Sequence, residues 1–284
     1  MKYDFKLAAF ADEAGDSLAE QISAMSSNGI EMLEIRGVDG KNIADVKPTE
    51  AKEIRKMLDD AGISVWSIGS PTGKTDINDP FAPVLDSFKN MIECAEILGA
   101  KKYRLFSFFG TNKDGQDYFD EVASRLERLC EAARGSGITL CHENEKEIYG
   151  ESALHCLNIA KSLGRIKLIF DPANFIQSGV DVKEAWDMLE PYVDYVHIKD
   201  SLKSGDVVPA GEGEGCFEYI LPRYFAKGGR VLTLEPHLAE FTGLAALEGD
   251  DNRSIVGQNG LHFDSQRSAF DYAANALKKL LERL

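Results

Sequence analysis

The chain has 284 residues, of which 47 are acidic and 32 basic, for a formal net charge of -15. That balance argues against a nucleic-acid or anionic-membrane surface, because such partners need clustered Lys and Arg to displace counterions. A hydrophobic content of 44% is enough to bury a sizeable core, and five cysteines without a Cys-x-x-Cys pair point to a reducing, cytoplasmic setting rather than a disulfide scaffold.

The first apolar run, Leu7 to Ala11, meets Asp12 and Glu13 at once, which is too short and too acid-flanked for a signal peptide. No run reaches the ~18 apolar residues of a membrane span. From there the chain repeats one junction: a helical pattern, a glycine, then a β-rich apolar run. It recurs as NGIEMLEIR, AGISVWSIG, LGAKKYRLFSFF, SGITLCHE, LGRIKLIFD and GGRVLTLEP. The junction glycines (Gly29, Gly62, Gly99, Gly137, Gly164 and Gly229) suit the left-handed residue just past a helix C-terminus. The runs lack clean polar alternation, as strands covered on both faces do.

The initial run LAAFA (7–11) and YVDYVHIKD (192–200) bring the strands to eight. Between them lie segments such as SLAEQISAMSSN, PTEAKEIRKMLDDA and DYFDEVASRLERLCEAARG, with apolar positions three and four apart and Ser, Asp or Pro at their starts. Eight such units without a linker predict the α/β class, as a single (β/α)8 TIM barrel over residues 1–284. An open doubly wound sheet rarely needs eight regular units.

Function in such a barrel sits at the C-terminal ends of the strands. The last four strands end in CHENE (141–145), FDPAN (170–174), VHIKD (196–200) and LEPH (234–237). Each delivers an oxygen or nitrogen donor to one rim: Glu143, Asp171, His197 and Glu235. Strand alternation puts Lys199 on the face of His197 and His237 on the face of Glu235. Taken singly, Asp171 before a proline is a turn former and His197 a core histidine. Taken together, three carboxylates buried side by side cost roughly several kcal/mol each without a cation. The donor set suits one divalent ion, Mn2+, Mg2+, Co2+ or Zn2+, with the carboxylates favouring Mn2+.

The runs ENE, DPAN, VHIKD and LEPH, with GIEMLEIRGVDGKNI, SIGSPTGK and YRLFSFF upstream, resemble the sugar phosphate isomerase/epimerase family with the xylose-isomerase-like TIM barrel. The resemblance covers essentially the whole chain. It implies that Glu143, Asp171, His197 and Glu235 bind the metal and that Glu143 and Glu235 are the catalytic acid/base pair. The family's ketose 3-epimerases usually carry a histidine three residues after the metal aspartate. Here that position is Asn174, which can bind a substrate oxygen but cannot carry a proton at neutral pH.

Lys74 ends GSPTGKT, one residue short of a phosphate loop and without a helix pattern directly after it, so nucleotide hydrolysis is not expected. Lys74 is either a contact to a substrate anion or hydroxyl or a solvated loop lysine. GEGEG (211–215) follows no strand directly and reads as a loop over the mouth or a junction into the next helix. Glu34 and Arg36 share a face at the end of the second strand, as substrate contacts or as an ion pair. His142 and His155 read as packing residues, and His262 as the opening of the terminal helix. The stretch from Leu238 to Gly260 is long enough for a lid or a homo-oligomer contact.

The expected activity is a metal-dependent isomerase or epimerase. It acts on a small carbohydrate or related polyol or keto compound, by proton transfer through a metal-stabilised enediolate. Lys199, Asn174, His237, Lys74, Glu34 and Arg36 are the expected substrate contacts. The alternative is a lyase that eliminates from keto-glycosides at the same centre. A DNA-repair endonuclease of the related barrel type needs more histidines and a basic groove than five histidines and a charge of -15 provide.

Overall fold

A computed structural model describes residues 3–111, 116–244, 256 and 260–284. Eight strands close into one barrel: β1 (Lys6–Ala9), β2 (Met32–Ile35), β3 (Ser64–Ile68), β4 (Lys102–Leu105), β5 (Thr139–Glu143), β6 (Lys167–Phe170), β7 (Val193–Ile198) and β8 (Val231–Leu234). Neighbours in sequence are neighbours in the sheet, every pair is parallel, and β1 closes on β8 through Ala9 opposite Leu234. All eight are the runs read from the sequence, though β1 and β4 stop short of their apolar stretches. Ala11–Glu13 forms a short 3-10 helix instead, which turns Asp12 and Glu13 onto the rim.

The helices on the outside include α1 (Leu18–Ser27), α2 (Pro48–Asp60), α3 (Phe81–Leu98), α4 (Phe119–Ala132), α5 (Ala153–Ser162), the short α6 (Pro172–Gln177), α7 (Val182–Leu189), α8 (Phe217–Ala226) and α9 (Gln266–Arg283). Their starts are chemically marked. Ser17 and Glu20 form a reciprocal capping box on α1, and Pro172 opens α6 behind Asp171, whose side chain accepts the Asn174 amide. Ser265 caps α9, so His262 lies ahead of the terminal helix rather than opening it. His142 is buried and pairs with Ser107 Oγ at 2.9 Å, and His155 stacks on Tyr149 within α5. Two junction glycines depart from expectation. Gly164 and Gly229 are not left-handed; after α8 it is Gly228, at φ 92°, that takes the reversal. Of the 238–260 stretch, residues 245–255 and 257–259 lie outside the described residues.

The strands bury apolar side chains outward against the helices (Leu33, Ile35, Leu105, Phe170 and Val196 among them) in one continuous core. Inward the pattern reverses. A thin apolar floor of Cys141, Ile169 and Tyr195, backed by Trp66, is overlaid by charged residues two positions further along the same strands. Cys141 leads to Glu143, Ile169 to Asp171, and Tyr195 to His197. Among the described residues no helix is long and apolar enough to cross a membrane, and all five cysteines are free.

Candidate metal centre

Glu143, Asp171, His197 and Glu235 each offer one donor atom, and these atoms all lie within 4.8 Å of one another. Bonds of ~2.0–2.3 Å to one ion place ligand atoms at most about 4.6 Å apart, so the cluster needs only a slight contraction to hold one. All four are buried. His197 Nδ1 faces Glu143 Oε1 at 2.8 Å and Glu235 Oε2 at 3.1 Å. Among the described residues no hydrogen bond reaches the buried Asp171 Oδ2 or Glu235 Oε2. Buried acceptors aimed at one point, met by the ion-pair contacts of Lys199 and His197 but by no well-aligned hydrogen bond, are what a cation site requires, so the residues fit a divalent ion.

The other nitrogen of His197 turns down the barrel. Nε2 stands 3.3 Å from Glu34 Oε2, and Glu34 Oε1 accepts the Tyr195 hydroxyl at 2.8 Å. Glu34 is fully buried beneath the histidine, with both carboxylate oxygens engaged. A carboxylate behind a histidine fixes its tautomer, here leaving Nδ1 for an ion. Glu34 and Arg36 do not pair with each other. Arg36 reaches across the rim, donating from Nε and Nη2 to Asp12 (2.9 and 3.0 Å), from Nη2 to Glu13 (3.1 Å) and from Nη1 to Glu235 (2.8 Å). Its guanidinium is held between the rings of Phe10 and Phe241, 4.4 and 4.7 Å from their centroids.

Lys199 Nζ lies 3.1 Å from Asp171 Oδ2. Lys74 is no solvated loop lysine: its ammonium sits 2.9 Å from Glu145 and 4.6 Å from the centre of the Phe106 ring. Asn174 donates through Nδ2 to Asn144 O, and its buried Oδ1 has no hydrogen bond among the described residues. His237 Nε2 lies 3.4 Å from Glu13 and 3.5 Å from Glu235. Its backbone is left-handed at φ 46°, and its amide is gripped by Glu13 Oε2 at 2.6 Å. Strain of that kind costs about 1–3 kcal/mol and persists only where neighbours enforce it.

The charges set the protonation states. Burial pushes the Asp171 carboxyl up, Lys199 pulls it down, and Glu143 and Glu235 push it up again, to about 6. Burial works against the charge of His197, but Glu143, Glu34 and Glu235 raise it well above its ordinary value. Glu235 is also pushed up by burial, yet Lys199 and His197 hold it well below the usual carboxylate range. Burial alone pushes His142 down to about 3, so it is a neutral packing residue.

Sequence reasoning missed Arg104, Asp12, Glu13 and Tyr195. Arg104 is 2% exposed, donates to Glu143 Oε2 at 3.1 Å and to Gly69 O at 3.1 Å, and lies 3.8 Å from Glu235. Its signal was an arginine inside the apolar run YRLFSFF. Asp12 and Glu13 read only as the acidic stop of the first run.

Residues 22–242 match the family model for the xylose isomerase-like TIM barrel. No curated protein shows significant similarity to the sequence. Solved structures similar to the chain include L-ribulose 3-epimerase (19% identity, TM-score 0.73, covering 99% of this chain and 96% of that one). D-psicose 3-epimerase from Clostridium cellulolyticum H10 is 14% identical, with a TM-score of 0.72 and 98% of each chain covered. The probable 3-DHS dehydratase from Bacillus anthracis is also 14% identical, with a TM-score of 0.71 and 96% and 98% covered. At these identities the likeness is one of fold.

Proposed function

The chain belongs to the xylose isomerase-like TIM barrel family, and from that premise we propose that it is a divalent-metal-dependent isomerase or epimerase of a small carbohydrate or related keto compound, working in the cytoplasm. The observation that carries the reading is the convergence of Glu143, Asp171, His197 and Glu235 within 4.8 Å at the ends of four consecutive strands. Two of the solved structures with this fold bear the names of ketose 3-epimerases.

Glu143, Asp171, His197 Nδ1 and Glu235 would hold the ion, with Mn2+ the best match to three carboxylates and one imidazole. When bound, the ion supplies positive charge to the carbonyl and neighbouring hydroxyl oxygens of the substrate. The chain's own residues then move the proton. Glu143 and Glu235, at the ends of β5 and β8, both lie against His197 Nδ1, at 2.8 and 3.1 Å. One removes the proton beside the carbonyl and the other returns it, to the opposite face for epimerisation or to the neighbouring carbon for isomerisation. Glu235 rests ionised, held so by Lys199 and His197, which is the form that accepts a proton. Arg104 and Arg36 hold the two carboxylates in place, and Asn174 Oδ1 remains to accept from a substrate hydroxyl.

The test is turnover of a ketose panel in deuterated water by the Mn2+-loaded protein. Incorporation of deuterium at the carbon beside the carbonyl is expected. Turnover without exchange would indicate a hydride shift, and an unsaturated product would indicate the lyase. No turnover of any ketose with metal bound would remove the proposal.

A further inference from the structure

Beside the centre, on the rim of β1, β2 and β8, lies a cavity of about 200 Å³. Asp12, Asp16, Arg36, Lys41, Asn42 and Phe241 line it. Arg36 is the wall shared with the metal centre, since the same guanidinium donates to Glu235. That shared side chain makes the cavity the neighbour of a substrate held at the centre.

The cations around both spaces are already matched. Six buried carboxylates (Asp12, Glu13, Glu34, Glu143, Asp171 and Glu235) face three permanent cations, Arg36, Arg104 and Lys199. With all six ionised and His197 neutral, as it would be when ligating a metal, three negative charges are left over, and a divalent ion offsets two of them. Lys74 is neutralised by Glu145 and Lys41 by Glu50. An anionic substrate would enter a region that is net negative even with metal bound, at close range and low dielectric.

A second observation agrees. TIM barrels often bind phosphate with the backbone amides of the loops after the seventh and eighth strands. Here three amides of the glycine-rich loop after β7, and that of Ser201, turn onto a carboxylate of the chain itself. Gly211 and Gly213 donate to Asp200 Oδ2 at 2.9 and 3.0 Å, and Gly215 and Ser201 to Oδ1 at 2.8 and 2.9 Å. The nest is filled by an internal anion.

The cavity does retain groups suited to hydroxyls. Asn42 accepts the Ala44 amide through Oδ1, and among the described residues no hydrogen bond engages its Nδ2. Asp16 accepts the Thr242 hydroxyl through Oδ2 at 3.0 Å, leaving Oδ1. We propose that the substrate is an uncharged polyhydroxy ketone whose hydroxylated tail enters this cavity, read by Asp16 and Asn42, and that phosphorylated or carboxylated analogues are rejected. This rests on the isomerase or epimerase reading and narrows its substrate class.

The experiment compares kcat/KM of the Mn2+-loaded protein for free ketohexoses and for their 6-phosphates. The free sugar is expected to be favoured by about tenfold or more. Asp16→Lys, at an exposed position, should shrink that ratio by raising activity on the ester, and Asn42→Ala should raise KM for the free sugar with kcat little changed. Equal or better use of the ester by the native protein, or a ratio untouched by Asp16→Lys, overturns the proposal. Should neither sugar turn over, the activity reading fails first, and calorimetric binding to the same protein decides the charge question. Binding of the free ketose but not of inorganic phosphate supports the inference; phosphate binding at least as tight, or no ketose binding, overturns it.

Discussion

Arg36 Nη1 donates to Glu235 Oε1 across 2.8 Å and so ties the end of the second strand to the end of the eighth. The same guanidinium also pairs with Asp12 and Glu13, which makes one side chain the clamp for three buried carboxylates. Arg36→Met should therefore destabilise the fold by about 3–5 kcal/mol, because it leaves carboxylates buried without a partner. Urea unfolding checks this. A loss below about 1 kcal/mol would mean that the carboxylates are solvated or protonated instead.

Glu143→Gln and Glu235→Gln keep an oxygen donor of the same reach but cannot accept a proton. Each should lower kcat by about 10²–10⁴ while retaining Mn2+. Asp171→Asn should act mainly on metal affinity. Parallel metal analysis and steady-state kinetics separate the two effects. Near-normal activity in both glutamine variants with metal bound would remove the acid/base assignment.

Glu34 is expected to act through His197. Glu34→Gln should weaken Mn2+ binding by about 10–100-fold, the usual effect of losing the group behind a ligating histidine. Direct titration of the metal into the variant measures it. Unchanged affinity with lowered activity would return Glu34 to the role of a substrate contact.

Much of this centre is legible in the sequence because strand ends place donors by simple alternation. Glu143 follows Cys141 by two, and Lys199 follows His197 by two, so the shared faces could be read without coordinates. The role of Arg104 could not, because an arginine inside an apolar run is a local oddity that names no partner, and its partner Glu143 lies 39 residues away. The grip of Glu13 on the amide of His237 spans 224 residues and depends on barrel closure. The junction at Gly228–Gly229 failed for a smaller reason: two adjacent glycines can both take the reversal, and the sequence does not say which one does.

Proton competition should make metal binding pH-dependent. Asp171 is pushed up to about 6, by burial first and by Glu143 and Glu235 against Lys199, and His197 is raised well above its usual value. A carboxyl raised in the fold contributes stability below its unfolded value, and that stability is lost as pH climbs through about 6. The metal-free protein therefore carries its buried charges at a cost near neutrality, and metal binding relieves it. The rise in Tm on adding Mn2+ should be larger at about pH 7.5 than at about pH 5. An equal or larger rise at the lower pH would contradict these protonation states.

The most direct measurement is a crystal structure of the Mn2+-soaked protein with anomalous data at the manganese edge. One peak is predicted, within ~2.0–2.3 Å of oxygens of Glu143, Asp171 and Glu235 and of His197 Nδ1. A manganese peak elsewhere, or none between these four side chains at saturating metal, would contradict the account.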